Sequence, residues 1–452
     1  MPVKPYLSGH YTPVPDESTA TDLPVTGALP PELSGHYLRN GHNPKPGITP
    51  SHWFKGSGML HGIRIAGGRA QWYRNRWVKT PALDGAPLVR EDGSMDLTAS
   101  VAGTHIIEHG GRLLALQEAN LPWEVTPELE TVGPFDFHGR LTSAMTAHPK
   151  EDPRTGDLHF FGYSPFPPYL TYYVATPAGD IVREQVVPGG TPTLMHDFAI
   201  TATKAVFLDA PVVFDAAEQS GIPYRWHDDH PARIGVMDRL GPADRTPEIT
   251  WIPVAQKTLL HVTNAYDAPD GTVVLEGPAY DRSSWETSWK WWTGAPGHPL
   301  APVTGATATR WVLDPRTRSA REEPLDDLST DFPTINEGFT GRSSAISYSV
   351  AFPGAGLEEF ALVKLDTASG ERRVYEAGPG RHAGEAVFVP AAQATAEDEG
   401  YLLSIVSDLR ANASQLLVLD ARNLTPVAEV HLPRRVPSGI HGSWIPDERI
   451  GA

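Results

Sequence analysis

The feature that most limits what this chain can fold into is a short unit that keeps returning. An apolar strand ends in an aspartate, a polar turn follows, and a second apolar strand begins. Val236-Met237-Asp238, Val312-Leu313-Asp314, Val363-Lys364-Leu365-Asp366 and Leu417-Val418-Leu419-Asp420 are four instances. Other hairpins share the grammar. Ile63-Arg64-Ile65 and Ala70-Gln71-Trp72-Tyr73-Arg74 flank a Gly67-Gly68 pair, residues 170–174 and 181–187 flank Pro177-Ala178-Gly179-Asp180, and residues 198–200 and 205–208 flank a turn at 201–204. Apolar alternation broken by such turns is a hairpin signal. The 42 glycines and 44 prolines are spread along all 452 residues, as many short strands joined by many turns require. Helical periodicity is scarce, with residues 284–292 the best short candidate. Many short antiparallel units without a fixed short period favour an all-β propeller over a solenoid, with a pair of packed sandwiches as the rival. No stretch has linker composition, so residues 1–452 read as one domain, with the Pro-rich residues 1–35 as an irregular arm over the body.

Charge and composition then remove whole classes of function. A net charge of −17 with no basic stripe argues against a nucleic-acid partner, since phosphate binding needs clustered Lys and Arg. The chain has no cysteine, which excludes disulfides, thiolate metal ligands and a cysteine nucleophile. Any metal must therefore be held by His, carboxylate, carbonyl or water. The start, Met1-Pro2-Val3-Lys4-Pro5-Tyr6, has no apolar leader segment, and no run of about 18 apolar residues occurs. A cytoplasmic, monomeric enzyme is the expectation.

Four histidines stand at the edges of apolar runs: His148 in Met145-Thr146-Ala147-His148-Pro149-Lys150, His196 in Leu194-Met195-His196-Asp197-Phe198, His261 in Leu259-Leu260-His261-Val262, and His441 in Gly439-Ile440-His441-Gly442-Ser443-Trp444. They lie far apart in sequence, and only a closed fold brings them to one metal ion. A single histidine in such a setting is more often a packed core residue, so the set matters more than any member. Three glutamates share the setting: Glu118 in Leu116-Gln117-Glu118-Ala119-Asn120, Glu337 in Ile335-Asn336-Glu337-Gly338-Phe339, and Glu385 in Gly384-Glu385-Ala386-Val387-Phe388. A lone carboxylate is expensive to bury there, so each either points to water or has a partner.

With these residues in view the chain resembles the carotenoid cleavage oxygenase family. Tyr37-Leu38-Arg39-Asn40-Gly41, Thr146-Ala147-His148-Pro149-Lys150, Met195-His196-Asp197-Phe198, His261, Glu385 and His441-Gly442-Ser443-Trp444 follow the family's order across nearly the whole chain. The resemblance implies a seven-bladed β-propeller capped by loops and a short helix over the metal face. It also implies a non-haem Fe(II), one per chain, held by His148, His196, His261 and His441, with O2 as co-substrate. Glu118, Glu337 and Glu385 would then hydrogen-bond three of those histidines, His148 excepted. Such acids fix the imidazole tautomer and offset the ion's charge without occupying coordination positions. Imidazole alone suits several transition metals, so the choice of iron comes from the resemblance. The implied reaction is cleavage of a C=C double bond in an apolar conjugated small molecule to two carbonyl products.

Aromatic residues expected along the substrate tunnel are Trp53, Phe54, Trp123, Phe135, Phe161, Phe166, Tyr169, Phe332 and Phe339, with core packing as the alternative for each. In Phe54-Lys55-Gly56-Ser57-Gly58-Met59 the chain has Ser57 where the family commonly has aspartate. Stilbene-cleaving members tend to place a lysine before the first glutamate and a tyrosine after an Arg/Lys-Thr-Pro stretch; this chain has Gln117 and Ala82. A neutral amide does not stabilise a phenolate as an ammonium does, so a carotenoid or apocarotenoid is expected ahead of a stilbene or phenylpropenoid. Trp285, Trp289, Trp291 and Trp292 suggest either an apolar lip for peripheral membrane contact or a packing cluster. Rival functions are ester cleavage with isomerisation at the same metal site, a non-catalytic propeller platform, and a zinc hydrolase; the last fits poorly because four histidines without a carboxylate is not the usual catalytic zinc set.

Overall fold

The computed structural model describes residues 4–218, 221–295, 305–353, 357 and 359–450. The recurring units are antiparallel hairpins, and the aspartate that ends each strand explains the turn. Asp314 Oδ1 accepts from the backbone N–H groups of Arg316 (2.9 Å) and Thr317 (3.3 Å). Asp366 does the same for Ala368 and Ser369, and Asp420 for Arg422 and Asn423. Each carboxylate thus takes up the first N–H groups the strand ladder leaves unpaired.

These hairpins build seven blades. Blade 1 carries Met59–Ala66 and Arg69–Trp77, blade 2 runs from His105–His109 to Thr131–Pro134, and blade 3 from Lys150–Glu151 to Ile181–Val186. Blade 4 runs from Ala199–Ile200 to Ile249–Pro253, and blade 5 begins at Thr258–Leu259 and Asn264–Asp267, which both pair with Val273–Tyr280. The 16-residue strand Ser319–Thr334 closes blade 5 against Thr307–Asp314 and then opens blade 6 against Ile346–Ala351, so two blades share one ladder. Blade 7 holds Arg381–Ala383, Val387–Pro390, Gly400–Asp408, Ala413–Asp420 and Pro426–His431.

The ring closes at blade 1, where the last strand, Gly442–Pro446, pairs antiparallel with Gly35–Arg39. Every neighbouring pair of blades is sealed by its own buried apolar cluster. Tyr37, Ile63 and Tyr73 meet Leu403, Leu416 and Val430 between blades 1 and 7, and Phe161, Leu170 and Tyr172 meet Phe198, Ile200 and Phe207 between blades 3 and 4. A β-propeller follows from this closure, as the hairpin grammar predicts.

The arm expected to be irregular contributes two short strands. Ser18–Thr21 pairs with Arg69–Trp77 and Val25–Gly27 with Pro426–His431, covering the outer edges of blades 1 and 7 that would otherwise expose unpaired backbone. Its residues 1–3 lie outside the described residues. The helix expected near 284–292 spans Arg282–Thr293. Asp281 caps it by accepting from Ser284 N (2.8 Å), and Gly294 ends it in the left-handed region at φ 59°, where a glycine carries no Cβ penalty. Lys4 Nζ then donates to the carbonyls of Thr293 and Gly294, so the arm clamps the helix C-terminus. Together with Tyr6, Tyr11, Trp53 and the hairpin of Val212–Phe214 with Tyr224–Trp226, this helix forms an aromatic cap resting on Leu260 and Ile440. No helix among the described residues is long and apolar enough to cross a membrane.

Candidate metal centre

His148 precedes Lys150–Glu151, His196 precedes Ala199–Ile200, His261 lies between Thr258–Leu259 and Asn264–Asp267, and His441 precedes Gly442–Pro446. Each strand lies at one edge of its sheet, the edge facing the axis. In a propeller those inner edges meet, so residues remote in sequence converge. One ring nitrogen from each of the four histidines lies within 4.8 Å of the others. The Nε2 atoms of His148 and His196 are 2.9 Å apart.

Three of the four have a carboxylate on Nδ1. His196 pairs with Glu118 in a short contact, His261 donates to Asp331 Oδ1 at 2.7 Å, and His441 to Glu385 Oε2 at 2.5 Å. Each acid is steered by a second donor. Tyr163 Oη donates to Glu118 (2.9 Å), the Gly442 N–H to Glu385 (3.0 Å), and the Tyr280 hydroxyl to Asp331. The Phe332 N–H also donates to Asp331 Oδ1 at 2.7 Å. With Nδ1–H committed to the acid, the Nε2 lone pairs face the common point.

Glu337, expected behind a histidine, is not there. It sits in the short turn Glu337–Phe339 beyond the blade 6 strand, and Asp331, within that strand, takes the position. The sequence signal that singled out the glutamates, a carboxylate inside apolar strand sequence, is equally present in Thr330-Asp331-Phe332. His105 was missed as well. It opens the inner strand of blade 2, with its ring centroid 5.3 Å from that of His441, but the hydrogen bond between its Nδ1 and Ala147 O (3.0 Å) holds it apart from the four. Asp197 ties three histidine segments together: it pairs with Lys150 Nζ at 2.8 Å and accepts from the Val262 N–H at 2.7 Å and from its neighbour Phe198.

Burial keeps two of the four imidazoles neutral. Burial, then the surrounding histidines, holds His148 and His441 well below the usual histidine range. For His196 burial acts downward, but Glu118 outweighs it and the net shift is upward. Burial raises Glu385 to about 7, while His105 and the Gly442 N–H oppose that rise. Burial pushes Asp331 up as well, but His261 and Tyr280 more than offset it and leave its carboxyl below the usual range. A cation at the common point would favour the ionised form of all three acids. A proton can satisfy the close His148–His196 pair, but His441 Nε2 is buried with no hydrogen-bond partner among the described residues. An orphaned buried acceptor is costly unless something occupies the point it faces. The residues fit a metal ion.

The four histidines separate two cavities. One is mainly apolar and extends under the cap, with Trp53, Phe54, Gln117, Glu118, His196, His261 and Phe332 in its wall. Of the residues singled out in the sequence, Trp53, Phe54, Gln117 and Phe332 line this cavity. Trp123, Phe135 and Phe161 do not: Trp123 packs between blades 1 and 2, Phe135 between blades 2 and 3, and Phe161 between blades 3 and 4. Phe166 is 64 % exposed on a loop beside Phe214, while Phe339 lies under the Arg342 guanidinium; neither they nor Tyr169 line this cavity. The second cavity, on the other side of the histidines, is the larger and the more polar of the two, with Glu108, Lys150, Glu151, Glu337 and Arg449 set among apolar residues. Of the tryptophans offered for a membrane lip, Trp285, Trp291 and Trp292 are buried in the cap against Tyr11, Trp53 and Tyr280, and Trp289 is half-buried beside them.

A model of the retinal pigment epithelial membrane protein family matches residues 11–446. The chain is 35% identical to a carotenoid cleavage oxygenase of Mycobacterium tuberculosis, over 98% of this chain and 97% of that one. It is 33% identical to carotenoid 9,10(9',10')-cleavage dioxygenase 1 of Arabidopsis thaliana, over 98% and 90%. Among solved structures it superposes on the lignostilbene dioxygenase of Pseudomonas brassicacearum with a TM-score of 0.85 at 29% identity, covering 98% and 99% of the two chains. It superposes on a cobalt-substituted apocarotenoid oxygenase of Synechocystis with a TM-score of 0.83 at 25% identity, covering 98% of each.

Proposed function

Since this chain belongs to the carotenoid cleavage oxygenase family, we propose that it is an Fe(II)-dependent dioxygenase that splits one C=C double bond of a carotenoid or apocarotenoid into two carbonyl products. The observation that carries this reading is the convergence of four imidazole nitrogens at the edge of an aromatic cavity. His148, His196, His261 and His441 would hold the iron. When bound, iron supplies the activation of O2, since four protein ligands on an octahedral ion leave positions open. The protein's own part is to orient and to exclude water. Glu118, Asp331 and Glu385 hold the imidazoles in the ligating tautomer. Trp53, Phe54, Trp291, Trp292 and Phe332 form an apolar wall that aligns a conjugated chain beside the histidines.

Gln117 favours a neutral substrate. Its Oε1 accepts from the Thr104 hydroxyl at 2.9 Å, which leaves the amide N–H groups as its free donors in the cavity wall. They can bond a carbonyl or hydroxyl but bring no positive charge for a phenolate. Cleavage of a hydroxystilbene is the second reading, favoured by the fit to the lignostilbene dioxygenase. Incubating Fe(II)-loaded protein with apocarotenoids and hydroxystilbenes, with O2 uptake and carbonyl products followed together, tests both. One O2 consumed per apocarotenoid cleaved is the expected result. Turnover without O2 uptake would reassign the site to isomerisation with ester cleavage, and a protein that takes up no iron anaerobically would be a binding platform.

A further inference from the structure

The two cavities do not share the histidines equally. His196 faces the apolar one, His261 touches both, and His148 and His441 line only the polar one. The unpartnered Nε2 of the buried His441 thus belongs to a ligand whose polar side is open. A divalent ion arriving through the aromatic cavity would have to shed its hydration against indole and phenyl rings, at a large cost, before it reached the few polar groups beside the histidines. Through the second cavity it would pass the carboxylates of Glu108, Glu151 and Glu337, set among apolar side chains.

Most carboxylates along that passage are already engaged. Arg449 pairs with Glu108 and with Glu151 (2.7 Å), Lys150 with Asp197, and Glu385 with His441. Glu337 differs: its carboxylate has no hydrogen-bond or ion-pair partner among the described residues, and it stands exposed in the wall of the cavity. We propose that the polar cavity is the route by which the metal ion reaches the four histidines, with Glu337 as the carboxylate that receives it on the way. This rests on the reading of the histidines as a metal site and adds the residue that governs loading. Glu337 is a positioning residue here; it holds no place in the final coordination.

The test is the rate of Co2+ uptake by anaerobically prepared apoprotein, followed by stopped-flow absorption, with the final stoichiometry measured separately. One ion per chain is expected for the parent. Glu337→Gln slows uptake roughly ten-fold at low ionic strength, as removal of a steering charge does. The deficit shrinks with added salt while the final stoichiometry is unchanged. Glu337→Trp, which also obstructs the passage, slows it further. Ile222→Trp, which narrows the apolar cavity instead, loads at the parent rate. The route is overturned if both Glu337 variants load as fast as the parent, or if Ile222→Trp is slowed as much as they are. Failure of the parent itself to take up Co2+ overturns the metal reading, and the route with it; full stoichiometry with unaltered rates overturns the route alone.

Discussion

Replacing Asp331 with asparagine isolates the charge behind His261 while keeping the shape. Three donors meet on this carboxylate: His261 Nδ1–H and the Phe332 N–H on Oδ1, both at 2.7 Å, and the Tyr280 hydroxyl on Oδ2. In Asp331→Asn the amide oxygen can keep the first two, and its NH2 can donate to Tyr280, which turns acceptor. Every contact is then preserved and only the charge is lost. A hydrogen bond to a charged group contributes about 1.5–3 kcal/mol net and a neutral one about 0.5–1.5, so the His261 bond alone weakens by about 1 kcal/mol. Loss of a negative charge one imidazole away from a divalent ion adds to this. The total, about 1.4–2.8 kcal/mol, is a 10–100-fold weaker metal affinity, which is the range for loss of a carboxylate behind a ligating histidine.

Asp331→Ala should be worse, because it leaves the His261 N–H buried and unpaired and frees the ring to adopt the other tautomer. The assay is equilibrium competition for Co2+ against a chelator, with thermal melts to confirm folding. Glu337→Gln is the control and should leave the equilibrium affinity within about two-fold, well under the 1.4 kcal/mol of a ten-fold change. An Asp331→Asn protein with parental affinity would falsify the account, as would a Glu337→Gln protein that binds more weakly than Asp331→Asn.

Phe161→Ala should destabilise by about 3–5 kcal/mol in urea unfolding, because the ring is buried between blades 3 and 4, whereas Phe166→Ala on its exposed loop should stay within about 0.5 kcal/mol. Trp291→Ser should likewise cost about 3–5 kcal/mol and leave liposome binding unaltered, since the indole is packed against Tyr11 and Trp53. Lys150→Met removes the partner of the buried Asp197, which keeps its two backbone donors; a loss of about 2–3 kcal/mol is expected from chemical denaturation, part of the full cost of breaking a buried pair because Lys150 is 20% exposed. Gln117→Lys should raise kcat/KM for a 4-hydroxystilbene relative to an apocarotenoid by roughly ten-fold, the difference between a charge-assisted and a neutral bond to a phenolic oxygen.

What could be read before folding was what local chemistry decides. The strand-ending aspartates are legible because the side chain itself makes the turn, and the four histidines because each interrupts an apolar run at the same place in its unit. Asp331 was harder: its role exists only because Ser319–Thr334 passes from blade 5 into blade 6 and carries residue 331 to the axis on the way. The aromatic residues failed for a different reason. In Leu158–Tyr163 five of six residues are buried, so no alternation marks which ring faces a cavity and which a neighbouring blade. Trp285, Trp289 and Trp292 follow the spacing of one helical face, and that stripe turned inward onto the cap instead of outward onto lipid.

The assembled site shows why a ring of seven suits this chemistry. Blades 1, 3, 4 and 5 supply His441, His148, His196 and His261; blades 2, 7 and 6 supply Glu118, Glu385 and Asp331. Every blade contributes one group at the level of the axis. Four imidazoles surround the common point, and His105 is held off from it by its bond to a backbone carbonyl. The positions left over are therefore free to carry acids, and an acid at the same level is already within reach of an adjacent histidine. Asp331 takes His261 and Glu385 takes His441 from the next blade, while Glu118 reaches past blade 3 to His196. His148, on the blade that Glu118 bypasses, is left as the ligand with no acid behind it. The asymmetry of four histidines and three acids is thus a consequence of counting side chains around one axis, and the charge left uncompensated by neutral ligands falls on the remaining three.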